Sequence, residues 1–196
     1  MNPQELESVG AVLRGHFLLT SGRHSAVYFE KFRLLEQPAL LERLVRTMLT
    51  NLPRETIAVA QAVVGPTLGG VVVAYEVARQ LAIRALYAER EGGARTFRRG
   101  SRLDPRTPVL IVDDVLTTGT SIREVLALLE QYQAQVVGIG VLIDRSETPL
   151  EFGAPLMRAL HLPAETYAPD DCPLCRQGVP LTTRGSRSTL VPESSI

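Results

Sequence analysis

The sequence predicts an α/β fold, a mainly parallel central sheet with helices on both faces. Three observations predict it. Residues 57–64, 109–112 and 136–143 are short, almost continuously apolar runs, the pattern of strands buried on both faces. Stretches of helical periodicity separate these runs, as parallel strands need crossovers. An acidic pair, Asp113-Asp114, follows the run at 109–112 directly, and open α/β sheets bind ligands at carboxyl strand ends.

Taken in order, Asn2-Pro3 ahead of Leu6, Val9, Val12 and Leu13 predicts a capped amphipathic first helix. Residues 17–32 are interrupted by Ser21-Gly22-Arg23, which predicts two extended pieces around a turn. A second helix starts near Pro38 and carries Leu41, Leu44, Val45, Met48 and Leu49. The run 57–64 reads as a strand stopped by Gly65-Pro66, followed by a helix over 68–81 and a short strand over 85–88. Strand 109–112, a helix over 122–132 and strand 136–143 complete the alternation. Residues 89–106 break it, with Arg90, Arg95, Arg98, Arg99, Arg102 and Arg106 and only Phe97 and Leu103 as large apolar residues. A long polar loop inside a compact domain is functional or disordered. The tail, 184–196, is rich in Ser, Thr and Arg and is expected to fray.

Composition excludes several classes. At 196 residues, 45% hydrophobic and 21% charged, the chain fits one globular domain able to bury its own core. Lys plus Arg and Asp plus Glu both number 21, so net charge gives no pull toward nucleic acid or an anionic membrane. The longest apolar or glycine run, 136–143, falls far short of the ~20 residues of a membrane helix. The first residues have no signal-peptide pattern, and two cysteines exclude a disulfide framework. A soluble, cytoplasmic protein is expected. The single lysine, Lys31, follows Glu30 rather than glycine, which rules out a P-loop. Gly138-Ile139-Gly140 opens like a dinucleotide fingerprint, but its third glycine position holds Ile143. His16, His24 and His161 are too scattered for a His-Glu-x-x-His helix and take no catalytic role.

The chemistry concentrates in residues 109–121, Val-Leu-Ile-Val-Asp-Asp-Val-Leu-Thr-Thr-Gly-Thr-Ser. Amides of residues 118–121 and the positive end of the following helix suit a phosphate. Ser121 and Glu124 have capping-box spacing. Asp113 and Asp114 would repel phosphate, so they face hydroxyl groups or a divalent cation. Ribose 5-phosphate has that layout. Gly69-Gly70 either permits close helix–strand packing or exposes amides to pyrophosphate. The arginine-rich loop is either a solvated surface or a screen for a leaving pyrophosphate. Cys172-x-x-Cys175 has the spacing of half a zinc knuckle, which His161 or a second subunit could complete.

Residues 109–121 resemble the signature of type I phosphoribosyltransferases, which bind 5-phosphoribosyl diphosphate. Within them the chain is most similar to the orotate phosphoribosyltransferases. Residues 15–25, with Ser21-Gly22-Arg23 and Ser25, resemble that family's amino-terminal segment. Gly65-Pro66-Thr67-Leu68-Gly69-Gly70 resembles its pyrophosphate loop, and Ile143-Asp144-Arg145 its late Asp-Arg pair. The ending Cys172-Pro173-Leu174-Cys175-Arg176-Gln177-Gly178-Val179-Pro180-Leu181 is similar to a bacterial branch. The likeness covers roughly residues 10–181.

The resemblance implies a type I phosphoribosyltransferase fold in one domain, 1–183. A hood would come from about 1–35 and 145–183, and a mobile loop from about 89–106. It implies Mg²⁺-dependent transfer of ribose 5-phosphate from phosphoribosyl diphosphate to orotate, giving orotidine 5′-monophosphate and diphosphate in pyrimidine biosynthesis. Asp113, Asp114 and Arg90 would be catalytic. Asp113, Asp114, Val115, Leu116, Thr117, Thr118, Gly119, Thr120, Ser121, Gly69, Gly70, Arg90, Arg98 and Arg99 would bind phosphoribosyl diphosphate. Thr117, Arg145, Tyr28 and Phe29 would bind orotate, and Asp113 and Asp114 would help organise Mg²⁺ indirectly. A homodimer is implied, each loop reaching the neighbouring site, with no nucleic-acid or membrane partner. The rival readings are a purine-base phosphoribosyltransferase and a nucleotide-sensing regulator of the same fold. Two departures stand out: Thr20 replaces a lysine common before Ser-Gly-Arg, and the loop reads Glu89-Arg90-Glu91-Gly92-Gly93-Ala94-Arg95.

Overall fold

The structure is a computed structural model that describes residues 3–184. The expected Asn2 cap and the expected fraying beyond Arg184 lie outside the described residues. Helix α1 (Pro3–Ser8) is shorter than predicted, because Val12 and Leu13 enter strand β1 (Val12–Leu18). There they pair with β2 (His24–Phe29), Val12 opposite Phe29 and Leu13 opposite Tyr28. Ser21-Gly22-Arg23 turns the chain between the two strands, as predicted. Helices α2 (Lys31–Leu35) and α3 (Pro38–Thr50) follow, and α3 buries the predicted face, Leu41, Leu44, Val45, Met48 and Leu49, together with Leu40.

The run predicted as one strand over 57–64 is divided. Helix α4 (Arg54–Val59) takes its first part and strand β3 (Ala62–Pro66) the rest. A short apolar run fits either period, and here packing decides. After β3 come α5 (Gly69–Leu81), β4 (Arg84–Glu91), β5 (Ala94–Thr96), β6 (Pro108–Leu116), α6 (Thr120–Gln131) and β7 (Gln135–Asp144). The chain then forms β8 (Leu156–His161), β9 (Thr166–Tyr167), a 3-10 turn (Pro169–Asp171), α7 (Pro173–Arg176) and β10 (Thr182–Thr183).

Six strands form the main sheet in the order β5-β4-β3-β6-β7-β8, all parallel except the β4–β5 pair. Residues 156–161 therefore belong to the main sheet as β8, not to the hood. The hood is a second sheet, β10-β1-β2-β9, assembled from both ends of the described chain. Alternate residues of the central strands feed two apolar clusters. Val63, Leu110 and Val112 join α3 and α5 on one face, and Val64, Val109 and Ile111 join α6 on the other. Gly138 and Gly140 serve this packing, since a Cβ on Gly140 would stand 2.7 Å from Met48 Sδ. No helix among the described residues is long and apolar enough to cross a membrane.

Residues 89–106 are not a structureless loop. Gly92-Gly93 closes the β4–β5 hairpin, and Phe97 and Leu103 are buried. The arginine count concealed the hairpin, whose Arg90 and Arg95 are neutralised by Glu124. Chain order and strand order separate at β3, since β4 lies on one side of it and β6 on the other. The carboxyl ends of β3 and β6 thus flank the switch point where such sheets form a ligand crevice.

Candidate active site

Strand β6 carries Asp113 and Asp114 to that crevice at 6% and 5% exposure. Asp113 accepts hydrogen bonds from the Asp114 amide (2.9 Å) and from Ser121 Oγ (2.6 Å). Burial, and then the neighbouring Asp114 charge, push Asp113 up to about 7. Asp114 Oδ1 accepts from the Val115 amide (2.7 Å). Its other oxygen, Oδ2, has no directed hydrogen-bond donor among the described residues, although Lys31 Nζ lies 2.9 Å away as a charge partner. Sequence reading set Lys31 aside once the P-loop failed. Its being the single lysine was the available signal.

The loop after β6 differs in detail from expectation. Gly119, at φ +76°, precedes α6, and a Cβ there would lie 2.7 Å from Phe152 Cζ. The predicted capping box is absent because α6 starts at Thr120 with Gly119 at the cap position, which puts Ser121 inside the first turn, and both members bond elsewhere. Ser121 bonds Asp113, and Glu124 receives Arg90 and Arg95, the latter at 2.9 Å. No side chain caps the helix, which leaves its first amides for a ligand. Thr118 Oγ1 and Thr120 Oγ1 lie 3.0 Å apart beside those amides. Leu116 is not a binding residue by its side chain: it is 2% exposed, and its carbonyl accepts from the Arg145 amide. Val115 is half-buried and held in register with Ile143.

Gly69 and Gly70 are both buried at the start of α5. A Cβ on Gly69 would stand 1.6 Å from Asp114 Oδ2, and one on Gly70 would stand 2.6 Å from Pro66 Cδ. Close packing of this loop on the acidic pair is therefore what the two glycines provide. The Thr67–Leu68 peptide between the strand and helix is cis. Arg90 and Arg95 hold the β4–β5 hairpin to α6 through Glu124, and Arg95 also donates to Thr67 Oγ1 (3.1 Å) and the Ala88 carbonyl (3.1 Å). Arg98 faces Glu89 and Glu91, and Arg99 faces Glu89, each at 3.9 Å. None of the loop arginines has an ion pair with Asp113 or Asp114.

A cavity of about 640 Å³ opens beside the β6 loop. All four predicted base-contacting residues line it: Tyr28, Phe29, Thr117 and Arg145. Thr20, Ser21 and Arg23, from the turn of the hood, line it as well. The sequence signal for these three was the Ser-Gly-Arg turn itself. Arg23 is fixed by bonds to Thr166 Oγ1 (2.7 Å) and the Thr166 carbonyl (2.6 Å). Arg145 is half-buried, and burial lowers its pKa from the usual guanidinium value. It has no ion pair among the described residues. The neighbouring carboxylates that could have neutralised it are engaged: Asp144 with Ser146 and Arg158, and Glu147 with Thr166. Burial opposes the Asp144 charge, but bonds from Ser146 and Arg158 outweigh it and hold this carboxyl below the ordinary range. The cavity thus presents a guanidinium without a counter-charge, with Thr117 and Thr118 of the loop after β6 in its lining.

Residues 33–159 match the family described as phosphoribosyl transferase domain. The orotate phosphoribosyltransferase of Pelotomaculum thermopropionicum is 45% identical over 181 residues, covering 92% of this chain and 94% of the relative. That of Thermotoga maritima is 44% identical over 182 residues, 93% of this chain and 96% of the relative. Among solved structures, orotate phosphoribosyltransferase from Aeropyrum pernix superposes with a TM-score of 0.72 at 32% identity, covering 83% of this chain and 94% of that one. An adenine phosphoribosyltransferase shares the fold at 18% identity and a TM-score of 0.63, with 80% and 98% of the two chains covered. Strand order, the acidic pair at the switch point and near-full-length similarity agree, and the chain belongs to the orotate phosphoribosyltransferase family.

Proposed function

We propose that this protein transfers the 5-phosphoribosyl group from phosphoribosyl diphosphate to orotate, in the cytoplasm, as a step of pyrimidine nucleotide synthesis. The observation that carries the choice of base is Arg145. A half-buried guanidinium without a carboxylate partner suits a planar base bearing its own carboxylate. Purine bases lack that group, which leaves the rival purine reading without a use for Arg145.

In this reading the Thr118 to Ser121 amides and the amino end of α6 hold the 5-phosphate. Asp113 and Asp114 accept the ribose hydroxyls, with Asp114 Oδ2 offering a buried acceptor that lacks a directed donor. Arg145 and the backbone around Tyr28 and Phe29 orient orotate with its ring nitrogen toward the ribose. The carbon–oxygen bond to diphosphate breaks with its electron pair leaving on oxygen, a nitrogen–carbon bond forms on the opposite face, and the proton of the attacking ring N–H is released to solvent. No side chain becomes a covalent nucleophile. Catalysis rests on positioning and on charge arranged in advance. Two adjacent carboxylates, one of them paired with Lys31, fit an indirect Mg²⁺ role. Bound Mg²⁺ would neutralise charge on the diphosphate.

We also read the protein as a homodimer. Val72 and Tyr75 on α5 and Leu68 just before it are exposed, and Phe32 on α2 is exposed as well. Large apolar side chains grouped on packed neighbouring helices suit an interface. The function is tested by a substrate panel of orotate, uracil and purine bases with phosphoribosyl diphosphate and Mg²⁺, following diphosphate release. Orotate alone should support turnover. Turnover with a purine and none with orotate would overturn the assignment.

A further inference from the structure

Four potential metal ligands meet in the hood, outside the cavity described above. They are His16 on β1, His24 on β2, and Cys172 and Cys175 at the start of and within α7. Their ligand atoms all lie within 4.8 Å of one another. His16 Nε2 is 3.0 Å from His24 Nδ1, 3.5 Å from Cys172 Sγ and 3.7 Å from Cys175 Sγ. His24 Nδ1 is 3.3 Å from Cys175 Sγ. His16, His24 and Cys172 are 2%, 5% and 1% exposed. The cysteines are free thiols.

We propose that these four side chains form a structural zinc site of two thiolates and two imidazoles. Two observations support it beyond residue type. With Zn–N near 2.0–2.1 Å and Zn–S near 2.3 Å, a tetrahedral site has edges of about 3.3 Å between nitrogens and about 3.5 Å between nitrogen and sulfur. Four of the six ligand pairs, 3.0 Å for the two nitrogens and 3.3–3.7 Å for three nitrogen–sulfur pairs, follow those edges, and all six lie within 4.8 Å. Hydrogen bonding, by contrast, is crowded at this cluster. His16 Nδ1 donates to the Val179 carbonyl at 2.8 Å, so Nε2 is a bare lone pair. Three polar atoms converge on that single lone pair, whereas a cation at the centre satisfies every one. The bond to Val179 also fixes the His16 ring, as second partners of metal-bound histidines do.

The charge balances. Each thiol releases its proton to solvent on binding, and two thiolates then neutralise one divalent ion between two neutral imidazoles. Two soft and two borderline ligands in a tetrahedron favour zinc over hard cations. His161, the histidine that spacing offered, ends β8 with its ring 3.4 Å from the Ser146 carbonyl and is not among the four.

The site would clamp the carboxyl-terminal hood to the amino-terminal hairpin. That junction otherwise rests on β9 and β10, strands of two residues each and too short to hold a sheet alone, and on side-chain bonds such as those from Arg23 to Thr166 and from Ser25 to the Glu165 carbonyl. The clamped hairpin carries Thr20, Ser21 and Arg23 to the cavity. Zinc therefore supports the base-binding side from behind, without touching substrate.

The test is the metal content of the untagged full-length chain, purified without chelator, by elemental mass spectrometry. We expect about one zinc per chain. After removal of zinc, Co²⁺ should give a thiolate charge-transfer band and the strong visible absorption of a tetrahedral site. The double variant Cys172→Ser with Cys175→Ser should lose both signals. Cys175→His and His161→Ala should keep the metal. Stripping zinc should raise hydrogen exchange in β1, β2 and residues 169–178. Metal-free protein with no cobalt–thiolate band, an iron-loaded chain, or a Cys172–Cys175 disulfide in the purified protein would overturn the proposal. The measurements on the unmodified chain decide it even where a variant fails to fold.

Discussion

Asp113→Asn should make the ligand-free protein more stable while making it a poorer enzyme. Asp113 is 6% exposed and stands beside a second buried carboxylate. Burial first and the Asp114 charge second raise its pKa from 3.8 to about 7. Each pKa unit is worth about 1.4 kcal/mol, so three units make the charged form costly by ~4 kcal/mol. The amide keeps the shape: its oxygen accepts from the Asp114 backbone and its nitrogen donates to Ser121 Oγ. It forgoes the stronger bonds those donors make to a carboxylate, which reduces the gain to roughly 2–3 kcal/mol. For a chain of this size that is a rise in Tm of roughly 4–12 °C.

The pH dependence carries the sign. A carboxyl whose folded pKa is raised binds its proton more tightly when folded. Its contribution to stability is therefore full below about pH 4 and is lost as pH rises through about 7. The advantage of Asp113→Asn should vanish near pH 4 and reach its full size at pH 8. Thermal unfolding across that range, without substrates, measures it. Turnover should fall by about one to two decades in kcat/KM for phosphoribosyl diphosphate, the equivalent of ~1.5–3 kcal/mol for one charge-assisted bond. A variant that is less stable than the parent at pH 8, or equally stabilised at pH 4, would refute the reasoning.

Three further outcomes follow from the same geometry. Arg145→Ala should lower orotate kcat/KM by a factor of tens to thousands, from about 2–5 kcal/mol for a truncated charge pair. Selectivity over uracil should shrink with it while phosphoribosyl diphosphate affinity holds, and unchanged orotate kinetics would sink the assignment. Gly69→Ala forces a Cβ to within 1.6 Å of Asp114 Oδ2 and must displace that carboxylate; a displacement of about 1 Å should cost ~100-fold in kcat/KM, and parental kinetics would show that Asp114 position is immaterial. Tyr75→Glu places a charge within the exposed apolar side of α5, where Tyr75 is 63% exposed; light scattering should report a shift from dimer to monomer, and an unchanged dimer would place the interface elsewhere.

The sequence by itself determined the parallel α/β class, the helices α3, α5 and α6, and the acidic pair with its hydroxylic loop. Each is a local pattern: the helices bury one regular stripe, and Asp113-Asp114 ends a strand apolar enough to be buried on both faces. Local pattern failed where two local solutions compete. Residues 57–59 satisfied a strand equally well until α4 packed against β7, and Ser121 with Glu124 suited a cap until α6 started at Thr120 and put Ser121 inside its first turn. The Arg145 environment, the Lys31–Asp114 ion pair and the packing of Gly69 on Asp114 were decided only by tertiary structure. The same holds for His16 and His24 meeting Cys172 and Cys175 across some 150 positions of chain. Such encounters depend on which strands adjoin and which oxygens are already engaged. Side-chain periodicity reports the face a residue occupies, whereas its partners are set by the whole fold.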